Sequence, residues 1–484
     1  MRILQIIPTL IYGDGVTNCL LNLVDFFNRE GIGNLLFCSG SDRRIKGVVW
    51  YPLEKLENFQ FLDDDIVLYH FYGSMRLNMF VERLACKKVL VYQNVSYARL
   101  FRNVAYDSYI NLLAGAEDAK QTVGHYLKAI VLSDFSRRNL IEYGWRRRDV
   151  SIFPLYKLTE KGKADENIFR TYSDARANII FTGRISPNKK IEDIIRIYAH
   201  YKQHYDKAVR LILVGKVQFG SYKKLLDDYI KAGNIRDVIF TGHVSEEELE
   251  AYYKVADLFL CMSEHEGFGI PILEAMSRGI PVVAYAATAV PYTMGGAGIL
   301  VRTKDEASVS RKMARVLCDS NYREKIIAGQ LKRVRRENLE SQRDRFLKFL
   351  RDVEGIKEWH YKESQSLIGE FNGLTDPVDV TYLKQFPSVV LYGLGKVGSN
   401  ILRNMRLEGQ IPVAVCDNSA TIPDDGASEV LRHAECVEKY PGAHYVVTVQ
   451  RGYMKIIRDL VRDGIPVENI TVFNNAQKRW EGCV

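Results

Sequence analysis

The sequence lacks several patterns that would each point to a particular class of protein. It has no C-x-x-C pair among its eight cysteines, which are Cys19, Cys38, Cys86, Cys261, Cys318, Cys416, Cys436 and Cys483. This spacing shows neither a zinc site nor a disulfide framework and favours reduced thiols in a cytosolic compartment. The longest apolar runs, such as residues 280–290, are much shorter than the ~20 residues that a membrane-spanning helix needs.

A secretory leader is also not expected. Residues 1–12 imitate a basic start followed by an apolar stretch, but Pro8 interrupts that stretch, and residues 13–15 (Gly-Asp-Gly) stand where a cleavage site would lie. Strong charge of one sign is absent as well, because 67 basic and 59 acidic residues leave a net charge of +8. That charge suits an anionic ligand or membrane surface and is too weak to indicate a nucleic-acid partner.

The 484 residues, 47% hydrophobic and 26% charged, have the composition of a soluble globular protein. Strand and helix patterns alternate almost throughout, which predicts an α/β fold with parallel sheets. Two aperiodic stretches, residues 155–175 and 354–387, are expected to be linkers. We therefore predict three domains, at residues 1–155, 176–353 and 380–484.

The most informative motif of the second domain is Glu266-Gly-Phe-Gly-Ile-Pro-Ile-Leu-Glu274, which follows a strand pattern and opens a helix. The first amides of such a helix favour anions through hydrogen bonds and the helix dipole. Gly267 and Gly269 are expected to let a ligand approach the backbone. The carboxylates of Glu266 and Glu274 can accept hydrogen bonds from the hydroxyls of a ribose or hexose.

A second element, Thr182-Gly-Arg-Ile-Ser-Pro-Asn-Lys189, also follows a strand. Arg184 can bind phosphate oxygens with two parallel hydrogen bonds, and Lys189 adds a compact positive charge. Alone, each residue would be interpreted as a solvated loop charge. Together with the Glu266 motif, at the edge where open α/β sheets bind ligands, they indicate an anion site.

These segments resemble those of the retaining nucleotide-sugar glycosyltransferases of the GT-B fold, family 4. The Glu-x7-Glu pattern with Gly-Phe-Gly and the Gly183-Arg184…Lys189 element carry the resemblance, and two further segments, 239–245 and 253–257, support it. The resemblance covers about residues 1–350. It implies two Rossmann-like domains that face a cleft, here followed by a small C-terminal Rossmann-like domain.

The resemblance also implies roles for individual residues. Arg184 and Lys189 would hold the diphosphate, Glu274 the ribose, and Glu266 the hydroxyls of the donor sugar. The other donor-binding positions would be Gly215, His243 and Val244 near the base, and Gly267, Phe268 and Gly269 in the loop. The family generally needs no metal or other cofactor, and electrostatic stabilisation of the leaving diphosphate carries a front-face reaction with retention.

The first domain contains one departure from the family. Gly13 and Gly15 resemble the glycine loop beside the donor phosphates, with an ordinary βα turn as the alternative. Where the family usually has a histidine at the reaction centre, this chain has Gln93, which cannot take up a proton near neutral pH. His70 either compensates for that change or is a buried, hydrogen-bonded core histidine.

Several further segments allow both a functional and a purely structural interpretation. Residues 133–138 resemble a family segment that faces the cleft. In the second domain, Tyr292 stands where relatives often have a glutamate. Residues 63–65 (Asp-Asp-Asp) contain an Asp-x-Asp but are interpreted as a solvated turn, so no metal is assigned. The arginines at 137, 138 and 146–148 are expected to form either a solvated basic face or a contact with an anionic membrane.

The third domain has a strand followed by Gly393-Leu-Gly395-Lys-Val-Gly398 and, nineteen residues later, Asp417. This order is typical of a nucleotide-binding turn with an acidic residue for the ribose. The unit has no Tyr-x-x-x-Lys dyad and only about a hundred residues, so an independent dehydrogenase is not expected. It resembles small Rossmann-like domains of polysaccharide-biosynthesis enzymes, and a docking module with an unused pocket is the alternative.

From the resemblance we expect a retaining hexosyltransferase of surface polysaccharide biosynthesis, such as lipopolysaccharide or capsule, at work in the cytoplasm or at the inner face of the membrane. Its partners would be a nucleotide sugar and a glycan or glycolipid acceptor. GDP-mannose is the preferred donor, on the Tyr-His-Phe and Tyr-Gln-Asn segments at 69–71 and 92–94, and a UDP-sugar is the alternative. A non-catalytic nucleotide-sugar-binding or scaffold protein is the second hypothesis, motivated by Gln93.

Overall fold

The computed structural model describes residues 1–71, 75–156, 162–336, 339–359, 380–393, 398, 401–402, 405, 410–417, 429–448, 453–474 and 479–482. The chain divides into two compact units, residues 1–362 and residues 363–484. Three sheets are present, two in the first unit and one in the second. The predicted α/β class is therefore confirmed.

The first sheet has seven parallel strands in the order β3-β2-β1-β4-β5-β6-β7. Their bounds are β1 Arg2–Ile6, β2 Gly33–Cys38, β3 Tyr51–Pro52, β4 Asp65–His70, β5 Lys87–Tyr92, β6 Lys128–Val131 and β7 Val150–Ile152. The helices of this part are α1 Gly15–Arg29, α2 Met75–Arg83, α3 Tyr106–Gln121 and α4 Asp134–Glu142. The central strands are buried on both faces, which is why the sequence shows them as continuous apolar runs.

The second sheet has six parallel strands in the order β10-β9-β8-β11-β12-β13. They are β8 Asn178–Thr182, β9 Arg210–Val214, β10 Val238–Gly242, β11 Leu258–Cys261, β12 Val282–Tyr285 and β13 Ile299–Val301. The helices are α5 Glu166–Tyr172, α6 Ile191–His204, α7 Gly220–Ala232, α8 Glu246–Lys254, α9 Ile270–Ser277, α10 Val290–Met294, α11 Glu306–Cys318, α12 Ser320–Arg336 and α13 Arg343–Glu354.

The third sheet, in the second unit, has the order β16-β15-β14-β17-β18-β19, and β19 is antiparallel to β18. The strands are β14 Val389–Tyr392, β15 Ala414–Cys416, β16 Glu429–Leu431, β17 His444–Val447, β18 Ile470–Asn474 and β19 Arg479–Gly482. Two helices of this unit are α14 His433–Lys439 and α15 Tyr453–Arg462.

All three sheets follow the same doubly wound plan. In chain order, each begins with its central strand, adds two strands on one side, and then places the later strands on the other side. The connections therefore diverge between β1 and β4, between β8 and β11, and between β14 and β17. Ligands of open α/β sheets bind at the carboxyl ends of the strands at such switch points.

The last helix of the first unit, α13, packs on the first sheet and not with the second domain, to which residues 343–353 are predicted to belong. Phe346 of α13 lies in one core cluster with Phe26, Phe27 and Phe153 of the first sheet's layers. Its ring centroid is 5.5 Å from that of Phe26 and 5.0 Å from that of Phe153. The helix thus covers the first sheet with its apolar face.

The two expected linkers have different outcomes. The stretch 155–175 contains a helix that its aperiodic sequence did not predict, α5, which Asp165 caps by accepting a hydrogen bond from the Ile168 amide. Tyr172 at its end packs on Tyr252 of α8, with ring centroids 5.8 Å apart. Residues 360–379 of the second expected linker lie outside the described residues.

Candidate functional site

The loop after β11 leads directly into α9 at the switch point of the second sheet. Gly269 is the N-cap residue of α9 and has a φ of 95°, a left-handed conformation that glycine adopts without strain. No side chain caps this helix start, so the positive end of the helix dipole remains available to an anion, although Pro271 has no N–H and the Ile272 amide donates to the Gly269 carbonyl. This end of α9 is therefore suited to bind an anion.

Lys189 and Glu266, which the sequence analysis placed in the same site, lie in direct contact. Lys189 Nζ donates to Glu266 Oε1 at 2.7 Å and to Oε2 at 2.6 Å, and both side chains are largely buried. An ammonium has three N–H donors, so one remains for a further acceptor such as a phosphate oxygen. The pair brings a cation and a hydroxyl-binding carboxylate into one small space.

Arg184 supplies a second cation at the same edge, just after β8. Within the described part of the chain its side chain is exposed and makes no hydrogen bond or ion pair. A guanidinium can bind a diphosphate with two parallel hydrogen bonds, and no internal contact would have to break first. Arg184 is thus free for an incoming anion, in contrast to Lys189.

Glu274, the second carboxylate of the motif, is held in place by a hydroxyl relay. The Tyr253 hydroxyl donates to Glu274 Oε2 at 2.9 Å and lies 2.8 Å from the Thr182 hydroxyl at the end of β8. Burial and the nearby Glu274 carboxylate raise the pKa of Tyr253, so this phenol stays protonated and remains a donor. The carboxylate keeps lone pairs for additional donors such as vicinal hydroxyls.

Gly267 and Phe268 of this motif make packing contacts that the sequence does not predict. A Cβ on Gly267 would lie 2.3 Å from the Gln93 carbonyl oxygen, and the Gly267 carbonyl accepts a hydrogen bond from Ser133 Oγ at 3.1 Å. Gly267 therefore makes room for the loop after β5, and its expected role in letting a ligand approach the backbone stays a prediction. Phe268 also turns away from the crevice, since its buried ring packs 5.0 Å from that of Tyr156.

Gln93 lies at this contact, immediately after β5. Its backbone carbonyl faces Gly267, and its side chain lies next to the Cys19 thiol. Burial raises the pKa of Cys19 to about 12, so the thiol is protonated at neutral pH. Neither group can shuttle a proton near neutrality, in keeping with a site that works through electrostatics.

His70 is a buried core histidine. The side chain is fully buried at the end of β4, and its Nε2 is 3.0 Å from Gln5 Oε1. Burial lowers the pKa of His70 to about 3, so the ring is neutral at physiological pH. Of the two alternatives for His70, this geometry favours the hydrogen-bonded core histidine over a substitute for the missing family histidine.

His265 is a functional candidate that the sequence analysis missed. The ring is buried between Tyr97, in the segment after β5, and Phe135 of α4, at centroid distances of 4.7 and 5.9 Å. Its Nδ1 is buried without a hydrogen-bond partner among the described residues, and burial lowers its pKa to about 4. In the sequence, the only indication of a functional role for His265 is its position next to Glu266. This neutral ring ties the anion loop to the first sheet.

The glycine turn before α1 ends at a capped helix start. Gly13 has a φ of 74°. The Asp14 carboxylate accepts hydrogen bonds from the amides of Val16 and Thr17 at 3.0 and 3.3 Å. A negative side chain thus caps the start of α1, which favours the ordinary βα turn, and the role of Gly13 and Gly15 beside donor phosphates stays a prediction.

The positions expected to face a base lie at the ends of β9 and β10. A Cβ on Gly215 would be 2.0 Å from the Gly183 carbonyl oxygen, so glycine is needed for the close approach of two turns. Val244 packs partly into the core, whereas His243 is exposed. His243 Nε2 is 3.0 Å from Arg44 Nη1 of the first sheet's side.

The second unit shows part of its expected site. Gly393 has a φ of 100°, and a Cβ on Gly398 would be 1.9 Å from the Gly393 carbonyl oxygen, which also accepts a hydrogen bond from Thr448 Oγ1 at 2.7 Å. Both glycines are thus required by the tight strand-to-helix turn. Gly395 lies outside the described residues. Asp417 follows β15, and its amide donates to Leu431 O.

Two polar clusters of the first domain serve largely structural roles. Asp65 is buried and accepts two hydrogen bonds from Arg2, so the expected solvated turn is wrong for this residue. Asp64 pairs with the amino terminus, but it lies in a turn and its side chain is half-exposed, as expected. Arg137 and Arg138 both pair with Asp134. In the same basic group, Arg146 pairs with Asp149.

No helix among the described residues combines the length and the apolar character needed to cross a membrane. The same residues contain no group of three or more histidine, cysteine or acidic side chains arranged to hold a metal ion.

The two sheets of the first unit and the site between them define a protein of the GT-B fold. Its match to WaaG, described as a glycosyltransferase involved in lipopolysaccharide biosynthesis, covers 72% of this chain and 99% of that one, at 13% identity and a TM-score of 0.55. The match to Anabaena HepE, solved with UDP and glucose, covers 73% and 100%, at 17% identity and a TM-score of 0.58. At such identities the likeness concerns the fold.

Residues 165–333 match the family described as Glycosyl transferases group 1, so the similarity to that family concerns this segment of the chain. Among curated relatives, O-antigen chain mannosyltransferase B of Escherichia coli is 32% identical over 153 residues. That match covers 30% of this chain and 38% of the relative, so the chain spans less than half the length of this relative. The GT-B fold expected from the resemblance is confirmed, and the family match is confined to residues 165–333.

Proposed function

We propose that the protein is a retaining glycosyltransferase that moves a hexose from a nucleotide-sugar donor to a glycan or glycolipid acceptor. The observation that carries this proposal is the joint presence of the free Arg184, the Lys189–Glu266 pair and the uncapped start of α9 at one switch point. Together they offer two cations and a helix dipole to a diphosphate, and a carboxylate to sugar hydroxyls.

Chemically, the leaving diphosphate gains negative charge as the bond to the sugar breaks. We propose that Arg184 and the third N–H of Lys189 stabilise that charge, because such stabilisation in a partly buried site is a large catalytic term. Neither Gln93 nor the neutral His70 supplies a proton-transfer group. We therefore propose a reaction in which the acceptor attacks from the side of the departing diphosphate, with retention of configuration.

GDP-mannose is the donor that we propose first. The support is the O-antigen mannosyltransferase relative, together with the Tyr-His-Phe and Tyr-Gln-Asn segments of the first sheet. A UDP-sugar is the alternative, supported by the fold neighbour HepE with its UDP. Work on a surface glycan or glycolipid at the cytoplasmic face of a membrane belongs to the same proposal, and the O-antigen mannosyltransferase relative supports the surface glycan.

The test is a donor panel. Purified protein is incubated with UDP-, GDP- and dTDP-sugars, release of the nucleoside diphosphate is measured, and the anomeric configuration of any product is assigned by NMR. Arg184→Ala should lower turnover by about 10²-fold or more while affinity for the free nucleoside changes little. Lys231→Ala, an exposed lysine at the far end of α7, is the matched control and should leave turnover unchanged.

A nucleotide-sugar-binding protein without transferase activity is the second candidate, favoured by the glutamine at position 93. It predicts tight binding of one nucleotide sugar in the same panel, with no release of nucleoside diphosphate in the presence of any acceptor. Turnover of any donor would decide for the enzyme.

A further inference from the structure

At one end of the cleft in the first unit, three side chains from both sheets meet. Tyr12 lies in the turn after β1, Arg44 lies after β2, and His243 follows β10 of the second sheet. Arg44 Nη1 is 3.0 Å from His243 Nε2, and the guanidinium lies over the Tyr12 ring at 4.5 Å. The Tyr12 and His243 rings meet edge to face with centroids 6.0 Å apart.

Hydrogen bonds to Asp42 fix the orientation of the Arg44 guanidinium that contacts His243. Its Nε donates to Asp42 Oδ1 at 3.0 Å and its Nη2 to Asp42 Oδ2 at 2.7 Å, in a two-pronged pair. The Arg44 amide also donates to Asp42 Oδ1 at 3.0 Å, which fixes the backbone at the same point. Because Nε and Nη2 already donate to Asp42, Nη1 is the guanidinium nitrogen that contacts His243 of the second sheet.

This contact determines which nitrogen of His243 can donate. An arginine is always a donor, so His243 Nε2 must accept, and the neutral ring then carries its proton on Nδ1. The ring is also held in orientation by the edge contact with Tyr12. His243 therefore offers one N–H donor of fixed position in the turn at Gly242, where the chain bridges to Gly215.

We infer that Arg44 is a positioning residue for nucleobase recognition, acting through His243; this rests on the proposed function. A single N–H donor pairs with a base carbonyl, as in uracil or guanine, and not with the amino group that adenine presents at the corresponding position. Arg44 lies outside residues 165–333, so base selection in this chain draws on both sheets.

The experiment measures the affinities of the full chain for UDP, GDP and ADP by calorimetry, and uses their ratio as the readout. Arg44→Ala should weaken binding of the preferred carbonyl-bearing nucleotide by about tenfold and leave ADP nearly unchanged, so the ratio falls. Arg43→Ala, which removes the neighbouring exposed arginine, is the matched control and should preserve the ratio. Arg44→Lys, which cannot reach Asp42 and His243 together, should give an intermediate ratio.

His243→Ala and the double variant complete the test. If Arg44 acts through His243, the double variant loses no more selectivity than His243→Ala alone. An equal loss for all three nucleotides, or an unchanged ratio in Arg44→Ala, would overturn the inference while the proposed function stands. Failure of the unmodified chain to bind any of the three would remove the proposed function and the inference with it.

Discussion

At the scale of single residues, the site depends on charges that are paired differently from what their types alone suggest. Lys189 is already engaged by Glu266, whereas Arg184 is free among the described residues. The carboxylate of Glu274 is held by Tyr253, and that of Asp14 closes the start of α1. Which groups remain available to a ligand is therefore a property of their neighbours.

Glu274→Ala should weaken the binding of nucleoside diphosphate by about 1.5–3 kcal/mol, because hydrogen bonds between ribose hydroxyls and a carboxylate would be lost. Calorimetry with the preferred free diphosphate measures this directly. Glu274→Gln, which keeps an acceptor for Tyr253, should lose less. An unchanged affinity in Glu274→Ala would remove the ribose assignment.

The buried His70 predicts a dependence of stability on pH. Its folded pKa of about 3 lies below its ordinary value of 6.5, so the unfolded chain binds more protons between these limits. Stability should therefore fall as the pH falls below about 6.5, by up to about 1.4 kcal/mol per pH unit for this one group. Below about pH 3, where the folded ring also titrates, its contribution to the slope ends.

Thermal unfolding between pH 7 and pH 4 measures this slope. His70→Asn is expected to lower stability at pH 7, because the hydrogen bond with Gln5 changes, and to flatten the decline at acid pH by the contribution of one histidine. Equal slopes in the two proteins would mean that His70 is protonated in the folded state.

At the scale of elements, the loop between β11 and α9 joins the two sheets of the first unit. Gly267 leaves room for the Gln93 carbonyl, and the Gly267 carbonyl oxygen accepts a hydrogen bond from Ser133. The His265 ring lies between the rings of Tyr97 and Phe135. The loop that binds the anion in our proposal is thus also the contact surface for the first sheet. The proposal therefore implies that donor binding and the packing of the two sheets are coupled through this loop.

Gly267→Ala should therefore destabilise the first unit by about 1–3 kcal/mol, since its new Cβ would overlap the Gln93 carbonyl oxygen. Chemical denaturation gives the change in free energy of unfolding. Gly329→Ala is the matched control: its Cβ would meet nothing within 4 Å, and alanine stabilises a helix by up to about 1 kcal/mol. Similar stabilities for the two variants would contradict the close approach at Gly267.

At the scale of the whole molecule, the site is confined to the first compact unit. Every residue that carries the proposed function lies before residue 362, and the second unit has its own doubly wound sheet with a glycine turn. The second unit remains a predicted nucleotide-binding or docking domain, with Gly393, Gly398 and Asp417 as its described candidate residues.

A chain of residues 1–362 should bind the nucleoside diphosphate within about twofold of the full-length affinity, as expected for independent parts. Calorimetry on the two proteins decides this. A large loss of affinity in the shorter chain, with a normal unfolding transition, would show that residues 363–484 contribute to the donor site.

Local sequence patterns identify the anion loop and many of the central strands. The apolar runs at residues 65–70, 178–182 and 389–392 coincide with β4, β8 and β14, because a strand buried on both faces needs a continuous apolar run. The Glu266 motif and the Arg184 element are likewise local patterns, set by a strand that ends and a helix that begins. Asp14 is a helix cap of a recognisable type and was within reach of the same reasoning.

Only the tertiary structure decided which distant residues meet. The order of the strands, the packing of α13 on the first sheet, the Gln93–Gly267 contact and the Arg44–His243 pair join positions that are far apart in the chain. Such contacts arise from how two sheets pack and face each other, and no short-range periodicity encodes them. A glycine that serves a ligand and a glycine that serves a neighbouring backbone are identical in the sequence, and only the atoms around them distinguish the two.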